Sequence, residues 1–464
     1  MSTEARPERA SVRLSPRTIV LYAIGSLGTG GYATLPGLVL TYFLTDNLGV
    51  AALAAGLIVT AAKIWDVLID PLIGAASDRQ LARTGSRRGF MVTGALALPL
   101  FFALTFAVPP SWGPVAGAIS VLLAFLATAT AFSLFQVPYV ALPAELTADY
   151  DERTRLLGWR VVVLTAAILL FGAGGPALRN AGDDPVLGYL LMGIASGVVI
   201  GIGMLIASRT ATIAARRTEA APAAAAAAST WRDQYMSGFR ALGRSQPFRA
   251  LLGTFVLQAL ATGTMLAGAQ YVATWVLRSE DAVTFVFVAL VGPALLATPA
   301  WTVIARRVGK ERAFAMASIL FTAAAATLVF AVWAPGAWIY ASVAVAGIAY
   351  AGLQSLPMAM LPDVISHDER TTGPGQAGTF TGIWTAGETV GFALGATAVS
   401  LTLATTGYIS TVAGATVEQP EAAITGIVLS FSILPAVLMT ASLLTLRRYR
   451  LRRADIEAVG TSDA

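Results

Sequence analysis

The sequence predicts an all-α integral membrane protein of twelve spanning helices in two six-helix halves. Three observations carry that expectation: the hydrophobicity of the chain, the one-sided placement of its basic residues, and a weak internal repeat. Of 464 residues, 56% are hydrophobic and only 12% charged, with 44 glycines and no cysteine. A spanning helix uses roughly 20 apolar residues, so this content suits twelve spans and leaves no room for a large water-soluble domain. Frequent glycine fits helices that approach closely in lipid. Without cysteine the chain has no disulfide, thiolate metal site or thiol nucleophile.

Hydropathy places the spans at about 18–44, 50–76, 89–108, 113–145, 158–179, 187–208, 248–277, 282–304, 312–333, 336–362, 376–404 and 421–446. The first is too long for a signal-peptide core and is expected to be retained. These spans divide the chain into an N-terminal half (1–208), a polar, alanine-rich cytoplasmic linker (209–247), a C-terminal half (248–446) and a cytoplasmic tail (447–464). Of the 31 Lys and Arg, 28 fall in the termini and the even-to-odd loops, two (Arg179 and Arg278) in the opposite loops, and Lys63 inside a span. Asp46, Asp183, Asp184, Glu280, Asp281, Glu418 and Glu421 lie on the opposite side. Positive residues stay inside, so both termini are expected in the cytoplasm, and the net charge of +5 reports topology rather than a nucleic-acid partner. Arginine outnumbers lysine 29 to 2, which suggests a bacterium with GC-rich DNA and hence its inner, cytoplasmic membrane.

The halves repeat each other. Gln136, Pro138, Pro143, Glu145 and Asp151-Glu152-Arg153 are matched by Gln354, Pro357, Pro362, Asp363 and Asp368-Glu369-Arg370, at offsets of 217 to 219. Two such units about an axis normal to the membrane enclose a central cavity in which substrate binds near the midplane. The loop Gly74-x-x-x-Asp78-Arg79, continuing to Arg83, Arg87 and Arg88, resembles the cytoplasmic signature of the major facilitator superfamily. Asp78, Arg79, Arg87 and Arg88, with Glu145 and Asp363 at equivalent helix ends, are expected to form a cytoplasmic gate, or simply to set topology.

Ionisable groups inside a membrane are costly unless paired or wetted, so each is a functional candidate. Span two carries Lys63-Ile-Trp-Asp66-Val-Leu-Ile-Asp70-Pro71. A helix turns about 100° per residue, which puts Asp66 and Asp70 about 40° apart and Lys63 about 60° from Asp66, on one stripe. Two carboxylates roughly 6 Å apart in a weakly solvated place do not both stay ionised. They hold a proton, share a cation, or, in the blander reading, Lys63 pairs with Asp66 while Asp70 sits at a wet helix end. Glu388 is a lone acid among small residues in span eleven, one turn after Trp384. Arg160, at the start of span five, faces either the cavity or the interface. His367, expected in a charged loop after span ten, is assigned no chemistry.

These motifs resemble the glycoside-pentoside-hexuronide:cation symporter family over nearly the whole chain. The resemblance rests on Tyr42-Phe-Leu-Thr-Asp46, on Ile64-Trp65-Asp66 through Gly74, and on Val137-Pro138-Tyr139. Asp149-Tyr-Asp151-Glu-Arg153 and Met360-Leu-Pro-Asp363-Val-Ile add to it. It implies that Asp66 and Asp70 are the coupling carboxylates, that Ser133 and Gln136 adjoin the cation site, and that Arg160 faces substrate. It extends the cavity lining to Gly30, Lys63, Tyr139, Gln354, Trp384, Glu388 and Thr389. Departures matter as much. Where sugar-transporting members are expected to carry an aspartate, a lysine and a further aspartate, this chain has Gly30, Thr389 and Gln136. Aromatic positions are Gly37, Val140 and Gln354, and Ile69 replaces a polar neighbour of Asp70.

A pyranose loses water on binding and needs a dense set of hydrogen-bond partners in return. The expectation is therefore cation-coupled symport of a small organic solute that is not a galactoside and is partly apolar or lipid-like. Proton is favoured over Na⁺, with no cofactor and a monomeric carrier in the bilayer. A H⁺-driven exporter of drugs or metabolites and a non-transporting membrane sensor are the alternatives. A lipid-acting enzyme is disfavoured, because no nucleophile with a base and no metal-ligand spacing is present.

Overall fold

The computed structural model describes residues 13–147, 149–182, 184–218, 243–372, 377–415, 417–449 and 451. Asp183, most of the linker (219–242) and the tail from 452 lie outside the described residues. Among the described residues the regular structure is helical, apart from one antiparallel bridge between Leu48 and Val412. Eleven helices among the described residues are long and apolar enough to cross a membrane. Spans two to six are Ala52–Thr84, Arg88–Phe106, Gly113–Leu146, Tyr150–Arg179 and Pro185–Thr218. Spans seven to eleven are Gln246–Tyr271, Ala282–Val308, Lys310–Thr327, Trp338–Thr372 and Ala377–Thr405, spans seven and nine each continuing in a short helical turn.

Spans one and twelve are each built from two pieces. Span one runs Pro16–Ile24 and Ser26–Tyr42, then widens into a π turn at Phe43–Asn47. Its break is at Gly25, where a Cβ would lie 2.6 Å from the Tyr139 ring. Tyr139 of span four fills that place and donates a hydrogen bond to the Tyr22 carbonyl at 2.8 Å. Span twelve runs Glu421–Phe431 and Ile433–Leu446. Pro435 has no N–H to offer the Phe431 carbonyl four residues back, and the helix restarts after Ser432, whose Oγ bonds the Val428 carbonyl. Pro71, by contrast, does not interrupt span two.

Several helices outrun the predicted spans. Span five starts at Tyr150, with the Asp149 carboxylate capping the Glu152 N–H, so Glu152 and Arg153 are helical rather than in a loop. Span ten reaches Thr372, which puts His367 on a helix and corrects its expected placement in a loop. Span six extends to Thr218, taking the first ten positions of the expected linker into a helix. Hydropathy marks only the lipid-buried part of a helix, whereas caps and side-chain bonds set where it ends.

The repeat is visible in the packing. Spans three and four pack together, as do nine and ten; two and four correspond to eight and ten; one and five correspond to seven and eleven. The halves meet through span two against eleven and span five against eight, contacts that the same exchange interconverts. Outward-facing apolar side chains recur every fourth residue, as at Val115, Ile119 and Leu123, and Leu296 is 84% exposed. Such surface is unfavourable in water and suits a hydrocarbon surround.

Candidate functional site

The span-two stripe is held by three helices. Lys63 Nζ lies 3.1 Å from Asp66 Oδ2 and 3.8 Å from the centroid of the Tyr32 ring. Tyr32 of span one donates its hydroxyl to the same carboxylate, 3.1 Å from Oδ2. That ring stacks on Phe132 of span four at 4.1 Å, and Trp65 Nε1 donates to Thr130 at 3.0 Å, so spans two and four are pinned around the site. Asp66 is 7% exposed and fully engaged. Asp70 differs: its Oδ1 is buried without a hydrogen-bond partner, and the Ser133 hydroxyl lies beside the carboxylate. Lys63, Asp66 and Asp70 together thus carry one negative charge more than they neutralise, and the excess sits on Asp70. The Lys63–Asp66 ion pair of the blander reading is present, but Asp70 is not left at a wet helix end.

Gln136, one turn after Ser133 on span four, accepts at Oε1 from Thr29 of span one at 2.9 Å, which ties spans one and four together. Gly30 is the clearest departure from expectation. It is buried, and a Cβ there would lie 2.7 Å from Ala167 Cβ of span five and 3.2 Å from the Leu164 carbonyl oxygen. It makes room for a close helix crossing instead of lining a cavity. Putting Asp at Gly30, the residue type expected of sugar-transporting relatives, is predicted to lower stability by about 1–3 kcal/mol through overpacking and to create no galactoside binding. Thermal unfolding and ligand titration of the purified variant check both.

Arg160 projects over the Tyr139 ring at 5.4 Å, and its Nε is buried without a partner. In the C-terminal half, Trp384 stacks on Phe255 of span seven at 4.2 Å, with its Nε1 unpartnered. Gln354 Nε2 donates to the Tyr350 hydroxyl at 2.8 Å, and Glu388 is half-buried within electrostatic reach of Tyr350. Phe255, Gln258, Ala259, Thr262, Tyr350, Leu353 and Gln354 line a small pocket with room for about one water. Thr389 is half-buried on span eleven. Gln258, Thr262 and Tyr350 were not singled out from sequence, and nothing local marks them, since buried polar residues on apolar helices more often bond their own helix.

At the arginine-rich face, Arg87 bonds Asp78 (2.6 Å), Glu145 (2.5 Å) and Ser77 (2.9 Å), while Arg79 and Arg88 are exposed. Burial opposes the Arg87 charge, but Glu145 and Asp78 outweigh it and hold the guanidinium above its ordinary pKa. The repeat mirrors this pair: Lys310, opening span nine, lies 2.6 Å from Asp363 near the end of span ten. Both clusters clamp helix ends within one half.

The bonds that tie the halves together lie on the opposite face. Tyr408 donates to Asp46 Oδ1 at 2.5 Å and accepts from Trp275 Nε1 at 2.8 Å. Thr45 donates to Asp46 Oδ2 and is bonded to the Tyr271 hydroxyl at 2.7 Å. Thr411 N–H donates to the Thr45 carbonyl, and Arg179 pairs with Glu280 at 3.4 Å. Deeper, Thr60 bonds Thr397 and the Ala393 carbonyl of span eleven. Asp46 entered the sequence reading as a loop charge and part of a motif. Its signal was its place, directly after an apolar helix and next to a threonine.

The sequence matches the family described as MFS/sugar transport protein over residues 21–453. An uncharacterized symporter of Synechocystis is 24% identical, over 94% of this chain and 94% of its own. The glucuronide carrier protein homolog of Escherichia coli is 25% identical, over 92% and 91%. Among solved structures, a bacterial homolog of the human lysosomal transporter Spinster superposes with a TM-score of 0.65 at 14% identity, covering 95% of this chain and all of that one. The E. coli xylose transporter gives 0.60 at 14% identity, covering 94% and 99%. Those two share the fold. The resemblance to the glycoside-pentoside-hexuronide:cation symporters therefore holds, and a multi-pass transporter, not an enzyme, is the outcome: the chain belongs to the MFS/sugar transport protein family.

Proposed function

We propose that this transporter couples inward movement of a small organic solute, not a galactoside, to H⁺ at Asp70, by alternating access. The observation that carries the reading is the asymmetry of the span-two acids. Asp66 is neutralised by Lys63 and bonded by Tyr32, whereas Asp70 keeps a buried oxygen without a partner. A buried carboxylate in that position accepts a proton or ligates a cation. Hard cations such as Na⁺ want several oxygens together, and the Asp66 carboxylate and the Gln136 oxygen already accept hydrogen bonds. A proton needs only the one carboxylate.

With the arginine-rich face in the cytoplasm of the inner membrane, the bonded Asp46–Tyr408 face is the outer one. The present conformation is then closed to the outside. Protonation of Asp70 removes the surplus charge and lets the halves rock about the bound solute, coupling the two fluxes by differential affinity. Few sugar-type partners remain at the expected positions, which supports a less polar substrate. Uptake into vesicles under an imposed pH gradient, and separately under a sodium gradient, tests the coupling ion. Accumulation is expected with acid outside; accumulation driven by sodium alone would exclude the proton reading.

A further inference from the structure

Arg87 and Arg88 are neighbours in the chain with different surroundings. Arg87 is spent inside the N-terminal half, on Asp78, Glu145 and Ser77. Arg88, the first residue of span three, is exposed and has no carboxylate partner among the described residues. By helical period it continues the face of Ala95, Pro99 and Phe106 that packs on Gly201, Gly197 and Gly193 of span six. Ser86 fastens the same end. Its Oγ accepts from the Arg88 N–H at 3.2 Å and donates to the Ala211 carbonyl of span six at 3.3 Å. Arg209, two residues before Ala211, is also exposed and without a carboxylate partner among the described residues. Two like charges are thus brought to one end of the groove between spans three and six, and no described acid offsets their repulsion.

The depth of this pair fits one kind of anion. On span six the exposed side chains Leu187, Leu191, Ile194, Val198, Ile202 and Leu205 form a single stripe, and Arg209 ends it. At 1.5 Å per residue the stripe is about 27 Å long, close to the roughly 30 Å of a hydrocarbon core, so Arg209 stands at headgroup level. Leu96 and Leu100 of span three are exposed beside it. The halves meet through other helices, span two with eleven and five with eight, so this groove faces lipid. We propose that Arg88 and Arg209 together hold the phosphodiester of an anionic phospholipid, in the leaflet on the arginine-rich side, with its acyl chains along the apolar stripe. Guanidinium groups match phosphate oxygens in charge and geometry. Arginines that only set topology need no common end point, and a soluble phosphate makes no use of the stripe.

The chain has no cysteine, so Leu205→Cys places a single fluorophore one turn from Arg209. The full-length protein is reconstituted in phosphatidylcholine vesicles that contain phosphatidylglycerol or phosphatidylcholine with the same nitroxide-labelled acyl chain. Quenching reads which lipid sits beside the label. Phosphatidylglycerol is expected to associate roughly ten-fold more strongly, because each arginine at the surface contributes about five-fold and salt screens part of it. Arg209→Gln should lower the preference to about three-fold, and Arg88→Gln combined with it should abolish the preference. Arg312→Gln, in the other half, should leave it unchanged, and a fluorophore at Val115→Cys, on the opposite face, should show none. Added inorganic phosphate should not displace the lipid. Equal quenching by the two lipids at position 205, a preference that survives in the double variant, or displacement by inorganic phosphate, which would assign the pair to a soluble anion, would each overturn the proposal. If the double variant does not fold, the two-lipid comparison at positions 205 and 115 with both arginines intact still decides.

Discussion

Asp70→Asn is expected to bind and exchange solute across the membrane yet fail to concentrate it. Asparagine keeps the shape of the side chain but takes up no proton, and the remaining Lys63–Asp66 pair is already neutral. One charge moving through 100 mV is worth about 2.3 kcal/mol, so one-to-one coupling sustains roughly 50-fold accumulation, and the variant should lose all of it. Counterflow of labelled solute in vesicles without a gradient should persist. Asp66→Asn behaves differently, because it strips a buried lysine of its counter-charge. Breaking such a pair costs about 3–5 kcal/mol, so that variant should melt lower and lose binding as well as accumulation. Full accumulation by Asp70→Asn would remove Asp70 from the coupling step, whatever Asp66 does.

The difference between these two acids marks how far the sequence could be read. The shared stripe of Lys63, Asp66 and Asp70 follows from helical period alone, and the i,i+3 ion pair is a local consequence of it. Hydropathy, basic-residue asymmetry and the repeat act over whole segments, which is why the spans and the two halves were legible. Which acid is satisfied was not, because its hydroxyl donor, Tyr32, comes from another helix 34 residues away. Gly30 shows the same limit in reverse. Its aligned position suggested a cavity wall, while its approach to Ala167 depends on how tightly spans one and five cross. Gln136 was matched to a cation site by its place in the chain, and Thr29 decides where its oxygen points. The two-piece form of span one has a similar origin, in a tyrosine from span four.

Tyr408→Phe is expected to open the outer face. The Tyr408 hydroxyl is the hinge of a relay running from Trp275 through Tyr408 to Asp46, which Thr45 and Tyr271 complete from the other side. Removing it deprives a half-buried carboxyl of its hydroxyl donor across the junction of the halves, and takes from the Trp275 N–H its oxygen partner on Tyr408. A loss of about 1–3 kcal/mol, confined to the outward-closed state, shifts the balance between states by roughly 5- to 150-fold. The variant should therefore bind solute from outside more readily while turning over more slowly, since re-closing becomes the unfavourable step. The absence of native cysteine makes the shift measurable. Ser400 is fully buried against Gly56 where spans two and eleven meet behind this relay. A Ser400→Cys probe should be slow to react with an impermeant maleimide added outside, and faster when combined with Tyr408→Phe. Asp46→Asn should act in the same direction but more weakly, because an amide oxygen still accepts from Tyr408. Unchanged labelling in the Tyr408→Phe background would mean that the outer closure is held by the Thr60–Thr397 and Arg179–Glu280 contacts instead, and that the relay serves packing alone.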